Sequence, residues 1–199
     1  MPSSFNYPSS WTDIANQALG RLQSKLINNL TDGSATANYC RLFMGQAIED
    51  VYNEEDWTSA TKRETLDLLT EEPEFGYDHA YQMPGDFLRL VEGGGIESTG
   101  EDYSIEGNQL LTDADEVELA YVARPSDPTT IPPHLRKAIA MRLAYLLCIP
   151  LTSNEQLSQR VAAEYNESIV RARSAEGKRK NEETVADGLG FTWSDELRE

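Results

Sequence analysis

Only two histidines and two cysteines occur among 199 residues, and 17 Lys and Arg face 34 Asp and Glu. The shortage of histidine restricts nucleophile–base chemistry. His79 falls in a strand pattern next to Tyr81, and His134 in a proline-rich helix start. No Ser-His-Asp or Cys-His set has a usable spacing, so no catalytic residue is expected. Cys40 and Cys148 sit in apolar helical patterns without a CxxC partner. They read as reduced core residues, which argues against zinc and fits synthesis in a cytoplasm. A formal net charge of −17 excludes nucleic-acid binding through clustered cations. It leaves room for a surface past which DNA slides without sticking. No apolar run approaches the roughly 20 residues that span a bilayer. The start, MPSSFNYPSSW, has no basic stretch followed by an apolar one, so neither a signal peptide nor a membrane partner is expected.

What is present reads as helix–helix, strands, helix–helix, tail. Ser9 or Ser10 can cap a first helix whose apolar stripe is Trp11, Ile14, Ala15, Ala18, Leu22 and Leu26. After NNLTDGS, a second helix carries Cys40, Phe43, Met44, Ala47, Ile48 and Val51 on one side and ends near the acidic NEED and Trp57. The period then changes. KRETLDLL places Leu66 and Leu68 on one face, followed by HAYQM and FLRLV. DYSIEG and NQLLTD are joined at Gly107–Asn108, a hairpin signal. EVELAYVAR sets Val117, Leu119 and Tyr121 against Glu118, Ala120 and Val122. The prolines of RPSDPTTIPPHLRK stop that strand, and Pro133 suits a first helical turn. Leu135 to Ile149 is apolar nearly all round, which marks the most buried helix. PLTSNEQ breaks it, and Ser153 or Asn154 opens a fourth helix striped by Leu157, Val161, Tyr165 and Ile169. The expected fold class is α+β: a four-helix bundle with a small antiparallel β unit inserted between helices 2 and 3, and a flexible C-terminal tail. Its divisions are helices 1 and 2 over 1–61, the β insertion over 62–131, helices 3 and 4 over 132–180, and an extended docking tail over 181–199.

The stretch YDHAYQMPGDFLRLVEGGG has the look of a phosphate site, but its glycines fit no known loop. No Lys-Ser or Lys-Thr follows Gly93–Gly95, and no helix follows either, so neither a P-loop nor a dinucleotide fingerprint is present. Glycines between strands read as a turn or bulge. Asp113, Asp115 and Glu116 lack the glycine and distal glutamate of a calcium loop. No cofactor and no metal is therefore expected. The KRK at 178–180 complements a helix C-terminus. MPGDF reads as a turn that drives Phe87, Leu88 and Leu90 into the core of the β unit.

The order of these segments resembles the tail tubular protein A family, the head-to-tail adaptors of short-tailed bacteriophages. The matching stretches are Pro84 to Arg89, Tyr103 to Gly107, Leu111 to Asp113, Tyr121 to Arg124 and Pro132–Pro133, and the resemblance spans roughly residues 9 to 178. It implies a structural virion protein rather than an enzyme, forming a ring, expected to be twelve-fold. The ring would sit between the portal protein and the tail nozzle, a tail tubular B-type protein. DNA would pass through without sequence-specific binding. Location would be the head–tail interface of the virion, after synthesis in the host cytoplasm.

Two other readings compete. A tail-associated glycan-degrading enzyme could use Glu71/Glu72 or Asp113/Asp115, although sequence neighbours rarely hold the roughly 5–9.5 Å separation across a sugar. A host-factor binding module could act through the tail alone. NEETVADGLGFTWSDELRE is too polar to fold by itself. Leu189, Phe191 and Trp193 are spaced as anchors for a groove on the portal or on a neighbouring subunit.

Overall fold

The computed structural model describes residues 10–188, with side chains as far as Lys178. Over that range the chain is α+β, with four helices and two small antiparallel sheets. The helices are α1 (Trp11–Arg21), α2 (Ala35–Tyr52), α3 (Pro133–Thr152) and α4 (Glu155–Gly188). The strands are β1 (Thr61–Thr65), β2 (His79–Gln82), β3 (Phe87–Gly95), β4 (Tyr103–Glu106), β5 (Gln109–Thr112) and β6 (Glu118–Ala123).

Ser10 starts α1 through a capping box. Its hydroxyl accepts from the Asp13 amide at 3.1 Å, while the Asp13 carboxylate accepts from the Ser10 amide. Such reciprocal caps satisfy amides that have no partner inside the helix. The helix stops sooner than its stripe suggests. Gln23 turns left-handed at φ 55°, and Leu26 ends 56 % exposed while Ile27 is buried. Asn16 fixes that turn by bonding both the amide and the carbonyl of Ile27 at 2.9 Å. No glycine or proline announces this break.

Helix α3 packs against α1, α2 and α4. Leu135, Ala138, Ile139, Leu143, Ala144 and Leu147 are fully buried. Pro150 does not end it. The helix runs to Thr152, and Ser153 closes it at φ 51°. A proline one turn from the end forfeits only one interior bond. Asn154 then caps α4 by accepting from the Leu157 amide at 3.0 Å. The expected extended segment begins too early. Helix α4 continues to Gly188, so residues 181–188 are helical. Leu189, Phe191 and Trp193 lie outside the described residues.

The strands form two sheets rather than one, ordered β1-β6-β3 and β2-β5-β4. Strand β6 is buried on both faces. Val117, Leu119, Tyr121 and Ala123 enter a core with Tyr81 and Leu110 of the other sheet, while Val122 joins the helical core. The first sheet is thus a layer between the helices and the second sheet. This splits the residues expected to anchor the strands. Phe87 and Leu90 are half-buried against the sheet–sheet core, whereas Leu88 packs on the helical core. Strict alternation would put Leu88 and Leu90 on one face; the register shift against β6 between Phe87 and Arg89 resets it, so that Leu90 rejoins Phe87. Leu66 and Leu68 separate likewise: Leu66 is buried, and Leu68 is 56 % exposed.

The three glycines belong to the end of β3. Gly95 adopts φ 62°. A Cβ there would collide with the Glu118 carbonyl and stand 2.7 Å from the Ala120 amide nitrogen. The register against β6 shifts between Leu90 and Gly95, so this is a bulge in which two backbones approach closely. Gly107, at φ 62°, heads the two-residue loop that closes the hairpin of β4 and β5.

Candidate functional site

The last turn of α2 and the acidic NEED that follows it, Glu49 to Asp56, tie the strands to the helices. Arg89 of β3 pairs with Asp56, and Arg124, just beyond β6, pairs with Glu49. Arg142 of α3 reaches Asp50 at 2.7 Å, and Arg173 of α4 reaches Glu55 at 2.7 Å and Glu54 at 3.8 Å. Tyr165 donates to Glu54 at 3.0 Å, and Arg142 lies 5.2 Å over the rings of both Tyr145 and Tyr165. Five carboxylates from one helix end therefore hold four arginines from four other places. The arginines come from residues 33 to about 120 positions away, so no local pattern pointed to them.

A second tie is more buried. Glu176 of α4 accepts from the Ser59 amide at 3.1 Å and its hydroxyl at 2.9 Å, and lies 2.7 Å from His134 Nε2. Burial alone would raise this carboxyl, but the Ser59 bonds and His134 outweigh it and hold Glu176 below the usual range. Serine and histidine both address the carboxylate, and no serine–histidine bond is formed. The arrangement anchors the chain where it enters β1. It lacks the relay order of a nucleophilic triad.

The residues weighed for other chemistry stay apart. His79 stands 3.4 Å from Asp115 at the rim of the second sheet. Asp113 accepts from the Asp78 amide at 2.9 Å, which is a turn contact. Glu71 and Glu72 are exposed on the loop before β2. Among the described residues no group of three or more His, Cys, Asp or Glu is placed to hold a metal ion. Burial and the nearby Asp32 push the Cys40 thiol up to about 11. No helix among the described residues is long and apolar enough to cross a membrane.

Charge is divided along the chain. Residues 61–123, which hold all six strands, carry 16 Asp and Glu against three cations, Lys62, Arg63 and Arg89, while the rest holds 18 acidic residues against 14 Lys and Arg. Arg89 is itself spent on Asp56 and Lys62 on Asp86. The strands and their loops thus carry most of the negative charge, and the helices are close to neutral. On the same loops Phe75 is 86 % exposed.

No protein-family profile matches the chain, and no curated protein matches it.

Proposed function

We propose that this chain is a structural virion protein: a head-to-tail adaptor that forms a ring, twelve-fold in the reading the sequence motifs support, between a portal and a tail nozzle. In this reading the four helices act as one bundle and the strands as a unit inserted between α2 and α3. The observation that carries it is the division of charge. A strand region with 16 carboxylates and three cations repels phosphate, which suits a wall past which DNA must move. A nearly neutral helical body can pack beside its own copies with little repulsion. The arginine ties to the end of α2 and to NEED join strands and helices, as a coupler between head and tail requires.

Helix α4 supports the same reading. Glu176 is fixed at the start of α3 through His134. Residues 177–188 continue as helix for about 18 Å beyond that point. Leu189, Phe191 and Trp193 then serve as anchors on the portal or a neighbour. The catalytic reading has no comparable support, because Glu71, Glu72, Asp113 and Asp115 are exposed on turns. Removal of this protein from an assembling phage should give heads that fill with DNA and lack tails. Tailed particles without it, or release of reducing ends from host polysaccharide by the purified protein, would overturn the assignment.

A further inference from the structure

Two of the four sheet edges are closed and two are open. The outer side of β2 is covered, since Leu69 donates to the Ala80 carbonyl at 2.8 Å and Gln82 donates to the Asp67 carbonyl at 3.0 Å. The outer side of β3 is met by side chains: Glu92 donates to Asp56 at 3.1 Å and Gly93 to Glu97 at 3.0 Å.

Strand β1 is different. Leu66 donates to Val117 at 2.9 Å, so with this register Glu64 and Lys62 also exchange bonds with β6. The alternate residues must turn outward. Arg63 and Thr65 therefore present free amides and carbonyls, and among the described residues nothing meets them. The same holds at β4. Its two-residue hairpin closes on Glu106 and Gln109, which turns the amides and carbonyls of Tyr103 and Ile105 outward.

The two open edges differ in charge. Strand β1 carries Lys62, which pairs with Asp86 of the same chain, Glu64, and Arg63, which has no acidic partner among the described residues. Strand β4 is flanked by Glu101 and Asp102 and ends in Glu106, none of which has a cation within ion-pair distance among the described residues. Both edges are solvent-facing at these positions, and Ile105 is 38 % exposed.

We infer that β1 of one copy pairs with β4 of a second copy, so that the strands of adjacent subunits join edge to edge. The contact uses two different surfaces of each subunit. It is therefore heterologous, and repetition generates a ring when the rotation closes. Strands of five and four residues offer only a short ladder, and like-charged strand regions oppose it. The pairing is weak between free subunits and is strengthened when copies are held side by side. The inference rests on the ring reading for the number of copies and deepens it by naming the interface.

The test uses full-length chains. Thr65→Cys, which keeps Arg63, is prepared with a size tag and Ile105→Cys without one. The two are mixed at high concentration, oxidised and run on a non-reducing gel. Cys40 and Cys148 are buried and do not contribute. The control mixes Thr65→Cys with Leu42→Cys, an exposed position on α2. The expected result is a mixed dimer at least tenfold above the control, reduced several-fold when Glu106→Lys is added to the Ile105→Cys chain. Tyr103→Cys replaces Ile105→Cys if that variant melts early. A yield equal to the control overturns the pairing, and a yield indifferent to Glu106→Lys removes its electrostatic basis, leaving Lys62 and Arg63 as charges that keep an edge solitary. Crosslinking without portal binding would leave the pairing and remove the adaptor reading. Portal binding without crosslinking would do the reverse.

Discussion

Glu176→Ala is the sharpest stability test. The carboxylate is 6 % exposed and accepts from the Ser59 amide, the Ser59 hydroxyl and His134. Its removal strands three donors at a junction shared by α4, the start of α3 and the turn before β1. Each half-buried donor left without a partner costs about 1–3 kcal/mol. The three are neighbours and do not add fully, so a total of about 3–5 kcal/mol is expected. For a chain of this length 1 kcal/mol moves the midpoint by about 2–4 °C, so calorimetry should show a fall of about 6–20 °C. The acid limb gives a second reading. The folded carboxyl is held below its unfolded value, so its stabilisation is present above about pH 4.3 and is lost as pH falls through the folded value. Wild type should therefore lose more stability than Glu176→Gln between about pH 5 and 3. A midpoint shift under 2 °C for Glu176→Ala, with parallel acid limbs for wild type and Glu176→Gln, would refute the junction argument.

Phe87→Ala should cost about 2 kcal/mol, less than the roughly 3–5 of a fully buried phenylalanine, because Phe87 is half-buried beside Tyr121; chemical denaturation measures it. Gly95→Ala should cost about 3 kcal/mol or more, since it adds a left-handed penalty to a collision with β6, and a soluble variant with an unchanged midpoint would contradict the bulge. Deletion after Lys180 should leave the melting temperature within about 2 °C, lower the helical signal at 222 nm through loss of the last turns of α4, and abolish binding to portal-bearing heads. Full binding by the truncated chain would exclude the C-terminal anchor.

Local chemistry made much of this fold readable. Ser10 with Asp13 announces a capped helix, Gly107–Asn108 a hairpin, and the apolar run from Leu135 a helix buried on every side. Other features depend on partners distant in sequence. The end of α1 at Gln23 has no breaker residue, because Asn16 makes the turn from a distance. Pro150 looked like a stop yet sits where a helix has little left to lose. The continuous AYVA of β6 signals burial on both faces, which is the trace of two sheets in place of one. Simple alternation would keep Leu88 with Leu90; the register shift after Phe87, which no residue announces, sends Leu90 to the other core. The Glu176 junction and the arginines gathered by NEED were not readable, since each links residues far apart and no spacing encodes them. The division of charge was readable from the order of residues, but its meaning needed the sheets in place.

The most direct test is negative-stain imaging of the purified protein mixed with portal rings. A closed ring of this protein, stacked coaxially on the portal and absent when the protein is cut after Lys180, is the predicted result. Portals that remain bare beside free monomers, at concentrations well above those of assembly, would contradict the account.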